Sequence, residues 1–557
     1  MNLKYVLLGA AIVAAPAHAG LLTAKAQPGD SAFAQCDGYA APGKKSDGIT
    51  VGTWMFGLGT ASVDERRRTT KLGQDGLTAC ETALADPRIQ PFATRRGHLW
   101  QAKAIHLISL GKFDDALVSL DRSDQEGRSE PFFDLSIGQG NRARRAVSLH
   151  GKGKKVEAES MLDELERRRP YAVSQRQMAM RIRLQFEDDR KKQAAILERM
   201  VPLFPSASHM LFWQSMIYGE FEPALRYAAS VSYDDPKRRG GWKSSSDFDD
   251  QYLDVVERSE FAGAVAYALY VSGNIGESAT RLKQAEDYVE SYMVPPPPPE
   301  PGQKWSRKVS QDYGLRKATG ARALGQLKTW RSNIALRSEA PKLDLNEIKQ
   351  SVDKQQQQLP MISDILRNAR ADTPDASRMV AEVGRAVEQT LDESRLKKTR
   401  MDFQDLVALL PRPETARNQI RFRQENGILG SGLDGFAVKR NQPPGAATVR
   451  YGSATGSMAL ADEGALLAAA RHAEKEGMDA FLVDARNPIQ RTTSITTCYY
   501  ACGAAVDHNS GYEVQLVIRP MATGSAGEFD RLRLIRTADV VGALAPRLTP
   551  VPAGSGK

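Results

Sequence analysis

A chain of 557 residues can bury a large core, so its 4 cysteines are not needed as folding staples and the class of small disulfide scaffolds is excluded. The formal net charge of +9 and pI of about 9.2 fit acidic peptides, anionic headgroups or other polyanions as partners, or a basic excess spread over solvated helix faces.

The chain opens MNLKYVLLGAAIVAAPAHAG. Lys4 supplies a positive start, Tyr5 to Ala15 is apolar, Pro16 breaks the run, and Ala17-His18-Ala19 is a small-x-small cleavage pattern. Residues 1–19 are expected to be a signal peptide, with a mature chain starting at Gly20 that is periplasmic or secreted. The apolar run is shorter than the roughly 20 residues needed to span a bilayer, so no transmembrane anchor is expected. No cysteine follows the cleavage site to carry a lipid, and export argues against nucleic acid as a partner. Export also turns an even cysteine count towards disulfides. Four cysteines allow three connectivities, and proximity in sequence favours Cys36–Cys80 and Cys498–Cys502.

Residues 20–72 are rich in Gly, Ala and Asp, have weak periodicity and read as an irregular segment. FGLGTAS (Phe56 to Ser62) lacks the third glycine and the strand-to-helix setting of a phosphate loop. Residues 73–293 read as helices in pairs. HLWQAKAIHLISLGKFDDALVSLDRSD carries Trp100, Ala104, Leu107, Gly111, Phe113, Ala116 and Leu120. Gly111 ends one helix, Asp114 and Asp115 favour the next, and Ala116 lets two helices cross closely. The pattern returns in Ala146, Leu149, Gly153, Ala158, Leu162 and a closing Pro170. It returns more loosely around Leu184, Ala194, Leu197 and Pro205, around Gly219, Phe221 and Ala224, and around Gly273, Ile275 and Ala279. This spacing resembles the tetratricopeptide repeat. The resemblance implies an α-solenoid in which each helix pair buries its apolar face only against its neighbours.

VPPPPPEPG (Val294 to Gly302) cannot continue a helix, and residues 294–303 read as a stiff linker or an insertion. Residues 304–426 return to helices without an assignable repeat. One starts at Thr373 as N-cap with Pro374 at the first helical position, and MDFQDLVALLPRP closes at Pro411. Residues 427–548 read as a compact α+β domain with a mainly antiparallel sheet, and 549–557 as a tail. In that domain DGFAVKR, ATVRYGS, DAFLVDA, IQRTTSITTCYYA and YEVQLVIRP are expected strands. FDRLRLIR is expected to pair with the last of these across MATGSAGE. ADEGALLAAARHAEKEG and TADVVGALAPRL are expected helices. The order GLDGFAV, TVRYGS, EGALLAAARHAEKEGMDAFLVD resembles small proteobacterial envelope lipoproteins of unassigned function, a family that implies no catalytic residues. The overall fold class is therefore mainly α: a tetratricopeptide-like solenoid, further helices and a small C-terminal α+β domain.

TTCYYACGAAVDH (Thr496 to His508) is the densest cluster of reactive side chains. A c-type haem site needs a shorter cysteine spacing followed by His, and a thioredoxin-like pair needs a helix N-terminus. Cys498, Cys502, His508 and Asp507 form a metal alternative. The favoured reading is a local disulfide at the end of a strand, with Gly503, Asn509 and Gly511 making the following turn. His98 and His106, eight residues apart, read as core or groove lining. No nucleophile elbow, zinc-protease helix or phosphate-binding Gly-Lys-Ser/Thr occurs, so no catalytic residue, metal ligand or cofactor is expected. Arg142, Arg144, Arg145, Lys152, Lys154, Lys155, Arg167, Arg168 and Arg169 suit either an acidic peptide on a concave face or a solvated face, and solvation is favoured. The expected function is a non-enzymatic envelope scaffold that binds a protein or peptide partner. The alternative is a thiol-redox or metal-binding protein centred on Cys498 and Cys502.

Overall fold

The computed structural model describes residues 31–548 apart from short internal stretches, of which 232–245, 339–358, 410–421, 425–434 and 496–505 are the longest. The protein is mainly α with a small antiparallel sheet domain at the C-terminal end. No described helix is long and apolar enough to cross a membrane. The expected leader, 1–19, and the Cys498–Cys502 pair lie outside the described residues.

Residues 31–63 hold more regular structure than their composition suggests. Ser31 caps α1 (Ala32–Asp37), its hydroxyl accepting the Ala34 N–H at 3.2 Å, and Gly38 ends it at φ 85°. Strands β1 (Thr50–Trp54) and β2 (Gly59–Val63) pair with each other. The helices that follow are α2 (Gln74–Ala85), α3 (Ala93–Ser109), α4 (Phe113–Gly127), α5 (Ile137–Gly151), α6 (Lys155–Arg168), α7 (Val173–Phe186) and α8 (Arg190–Glu198). Each packs on the next, and α3 also reaches α5 as α5 reaches α7. The turns from α3 to α4 and from α5 to α6 place Gly111 and Gly153 at φ 71° and 75°, a conformation that penalises any side chain. Ala104, Ala116, Leu120, Ala146, Ala158 and Leu162 are all 0 % exposed at the crossings. Leu107, Val147 and Ile182 extend the same core from one hairpin to the next.

A second compact unit spans residues 206–399. It contains α9 (Ser206–Ile217), α10 (Phe221–Ala228), α11 (Ser246–Val271), α12 (Ile275–Tyr292), α13 (Arg307–Ser338), α14 (Leu359–Asn368) and α15 (Pro374–Thr399). Gly219 and Gly273 repeat the positive-φ turn, at 71° and 85°. The proline run lies inside this unit instead of bounding it. Residues 294–300 are irregular, with Trp305 Nε1 donating to the Pro297 carbonyl at 3.0 Å. Beyond the run, α13 docks back on α11 and α12. Trp330, 1 % exposed, sits over Gly263, where any Cβ would collide with its ring. Asp364 on α14 accepts from Tyr267 Oη and Arg337 Nε, both at 2.8 Å. Pro374 opens α15 as expected, with the Ser377 N–H bonded to the Thr373 carbonyl.

Residues 400–557 belong to the same unit as 12–205. Here lie α16 (Phe403–Leu409), β3 (Gly435–Arg440), β4 (Ala447–Ser453), α17 (Met458–Lys475), β5 (Ala480–Ile495), β6 (Val506–Met521), α18 (Glu528–Arg531), β7 (Ile535–Arg536) and α19 (Thr537–Leu544). The sheet runs β1-β2-β6-β4-β3, with β5 on the other side of β6. Val449, Tyr451, Val514, Leu516 and Ile518 point into one core beneath α17. That core also takes Val173 from α7 and Leu203 from the turn after α8.

Three expectations in this domain are corrected. Asp507 to Gly511 is strand, not turn: β5 and β6 stay paired from Ala480↔Met521 to Ile495↔Val506, and Gly511, φ 134°, sits beside a register shift. FDRLRLIR does not pair with YEVQLVIRP, because β5 already occupies that edge of β6 and β7 pairs with β5 through Phe481↔Ile535. The segment 20–72 is not irregular throughout, since β2 joins β6 at Ser62↔Asn509 and Val63↔His508.

Candidate functional site

The residues singled out in the repeats are structural. Ala104, Ala116, Ala146 and Ala158 make close crossings, Gly111 and Gly153 make turns, and Phe113 lies over Gly151 of the next hairpin. What can act chemically is the polar material around them, and it falls into four groups.

The first is the N-terminal cap. Cys36 and Cys80 form a disulfide that pins α1 to α2, with Cα atoms 4.6 Å apart. Beside it the fully buried Arg95 donates from Nη2 to Asp37 at 3.0 Å. Its guanidinium lies 5.6 Å from the Phe33 ring centroid and 5.3 Å from that of Tyr39. His106 Nε2 meets the Cys36 carbonyl at 3.0 Å, and the His98 ring lies 6.4 Å from Tyr39. Both histidines therefore line the seat of residues 33–39. They do not form a metal pair.

The second is a buried polar spine across α3, α4 and α5. Gln101 Nε2 donates to the Ile137 carbonyl and to Asn141 Oδ1, at 2.9 and 2.7 Å. Asn141 donates to Ser123 and Asp124, and Ser123 donates to the Gly97 carbonyl at 2.8 Å. A satisfied network of this kind fixes one register between hairpins.

The third group divides the basic run: Lys152, Lys154, Lys155, Arg167 and Arg168 are exposed, as a solvated face requires, whereas Arg142, Arg144, Arg145 and Arg169 are not. Arg145 pairs with Asp121 and Asp124 on α4, at 2.6 and 2.7 Å, Arg142 with Glu164 at 3.4 Å, and Lys152 with Asp114. Arg144 is fully buried, and burial pulls its guanidinium down. On α7, Arg183 holds Glu159, Asp163 and Glu166 of α6 at 2.6 to 2.8 Å. His150, stacked on Phe186 at 4.3 Å, and Arg183 together hold Glu159 down at about 2. Stacking brings Arg142, Arg145, Lys152 and Arg183 against carboxylates of neighbouring helices, while Lys154 and Arg168 pair within their own helix and, like Lys152, Lys155 and Arg167, remain exposed.

The fourth group was not legible in the sequence. α17 carries two acidic residues in an alanine-leucine run, and both are about 1 % exposed. Glu463 accepts from Arg169 Nε at 3.1 Å, with Arg169 itself 2 % exposed. Asp462 accepts the Ser174 N–H at 2.8 Å and Arg486 Nε at 2.9 Å. Asp462 thus supplies a carboxylate to the first turn of α7, where the helix dipole favours negative charge. Burial pushes its carboxyl up while Arg486 and Ser174 pull it down. The only sequence signal was a pair of adjacent carboxylates on an otherwise apolar helix.

In the 206–399 unit, burial pulls His209 down to about 4, and Trp213 Nε1 donates to its Nε2 at 2.9 Å. Burial, with Glu257 beside it, pushes Glu260 up to about 7 against the pull of Arg322. The signs oppose each other. Between pH 6.5 and 4 the unfolded chain binds a proton at His209 that the folded chain does not, so acidification costs stability. Between pH 7 and 4.5 the folded chain binds one at Glu260 that the unfolded chain does not, so acidification adds stability. Each contribution is on the order of 2 kcal/mol after discounting for partial exposure. The unit is therefore expected to be nearly flat from pH 7 to 4.5. Glu260→Gln should make it lose stability on acidification and His209→Gln should make it gain, read by hydrogen exchange on peptides from 206–292 at both pH values. Parallel responses in the two variants would contradict this.

No family model, no curated protein and no solved structure matches the chain. Among the described residues no group of His, Cys, Asp and Glu is arranged to hold a metal ion. Cys498 and Cys502 belong to the connection between Ile495 and Val506, whose backbones are paired.

Proposed function

We propose that the chain is an exported, non-enzymatic scaffold of tetratricopeptide type that holds a protein or peptide partner in the cell envelope. The observation that carries this reading is the succession of helix hairpins from α3 to α8. The hairpins α3–α4 and α5–α6 turn on Gly111 and Gly153 and cross at Ala104, Ala116, Ala146 and Ala158, one core runs from α3 to α7, and α8 follows from the Asp189 cap. An array of this kind offers a long surface of repeated geometry, which suits the binding of extended or helical segments. The Cys36–Cys80 disulfide supports export, since bridges of this kind persist in oxidising compartments. The C-terminal α+β domain acts as a second module, and its shared core with α7 orients it on the array.

The test is crosslinking in the native envelope, with a photoreactive side chain at exposed Val156 or Val118. One dominant protein adduct supports the scaffold. Absence of any adduct from either position, together with stoichiometric zinc or copper and reduced Cys498 and Cys502 in freshly isolated protein, replaces it with the thiol or metal reading.

A further inference from the structure

The helix α16 is out of place in the chain. It follows the long helices of residues 206–399, yet it packs on α3, far earlier in sequence. Its sequence, FQDLVAL, puts Phe403, Leu406 and Val407 on one face at i, i+3 and i+4. Leu406 and Val407 are 0 and 1 % exposed, while Gln404 and Asp405 face solvent.

The seat is built by the hairpin turns. The Phe403 ring stands edge-on to Phe113 at 6.3 Å, and Phe113 also covers Gly151, so one aromatic side chain bridges the resident helix and the next hairpin. Gln404 Nε2 donates to the Ser109 carbonyl at 2.8 Å. Ser109 ends α3, where helix carbonyls lack an intrahelical partner. Leu406 and Val407 enter the core that holds Leu77 and Ile108. The seat therefore reads an aromatic side chain, two aliphatic side chains three and four residues later, and one amide donor.

A seven-residue helix is far too short to hold its own conformation in water. It exists here because the seat orders it, and the burial of three apolar side chains is set against the entropy of fixing seven residues. Those opposing contributions are of similar size, so a longer helix with the same pattern, already ordered on its own protein, binds the seat with less to lose.

We propose that this seat is the array's helix-binding site, that residues 403–409 are its resident competitor, and that the partner presents an amphipathic helix of aromatic-x-x-aliphatic-aliphatic pattern that displaces them. This rests on the scaffold reading and names the ligand class for it.

The experiment uses full-length protein and a fluorescein-labelled synthetic peptide, MDFQDLVALLPRP, copied from residues 401–413. Leu406→Asp with Val407→Asp vacates the seat, and Phe403→Ala loosens it. Anisotropy titration is expected to show at least tenfold tighter peptide binding by the double variant than by the wild type, with Phe403→Ala between them. The peptide carrying the same two aspartates should bind none of the three. Binding by the folded double variant within twofold of the wild type would overturn the proposal. So would loss of fold in both variants by far-UV circular dichroism, because a displaceable resident cannot be required by the core. Either failure leaves the envelope crosslinking from Val156 and Val118 unaffected, so the scaffold reading stands or falls separately.

Discussion

Glu463→Ala is expected to lower the stability of the unit formed by residues 12–205 and 400–557 by about 3–5 kcal/mol, the cost of leaving a buried guanidinium without its carboxylate. Glu463 holds Arg169 side-on, one carboxylate oxygen accepting from Nε and the other from Nη2, with Arg547 Nη1 3.5 Å from the same carboxylate, and neither Arg169 nor Glu463 reaches water. The pair itself is not the source of that stability. Desolvating both charges consumes most of their attraction, so Arg169→Met with Glu463→Leu should restore most of the loss. Urea denaturation followed by hydrogen exchange on α7 and α17 checks both statements. The single variant should lose protection in the two helices together. If α17 loses protection while α7 keeps it, the pair does not couple them.

The second large effect is at the N-terminal cap. Cys36→Ser with Cys80→Ser opens a loop of sequence separation 44, worth about 4 kcal/mol by chain entropy. Asp37→Ala should cost about 3–5 kcal/mol while the disulfide is intact, because the bridge keeps α1 pressed over Arg95 and the guanidinium stays dry. Without the bridge, α1 lifts, Arg95 hydrates, and the same substitution should cost under about 1 kcal/mol. A double-mutant cycle by thermal denaturation measures this coupling. Equal costs in the two backgrounds would show that the disulfide does not hold α1 on Arg95.

The parts of this fold that were legible in sequence are those with a local cause. Gly111, Gly153, Gly219 and Gly273 mark turns because only glycine takes their positive φ without strain. Thr373-Pro374 marks a helix start, and the alternation in Ala447–Ser453 marks a strand. The parts that were not legible depend on what stacks against what. Arg145 reads as a solvated cation until α4 brings Asp121 and Asp124 to it. Asp507 to Gly511 has turn composition, yet pairing with β5 on one side and β2 on the other overrides it. Residues 31–63 carry too short a pattern to show that they cap the helices and extend the sheet. The Phe403, Leu406 and Val407 face is visible as a helix, but nothing local indicates that its seat lies on α3.

The scaffold reading depends on the hairpins and the C-terminal sheet domain behaving as one body, because a partner held by the array is then held in fixed orientation to the sheet. A protease site placed within residues 427–432 tests this directly by cutting the backbone between them. After cleavage the C-terminal fragment should co-elute with the rest of the chain, held by Arg169–Glu463, Ser174–Asp462, Val173 and Leu203, and the unit should still unfold in one transition. A C-terminal fragment that elutes alone at neutral pH and moderate salt would contradict the account.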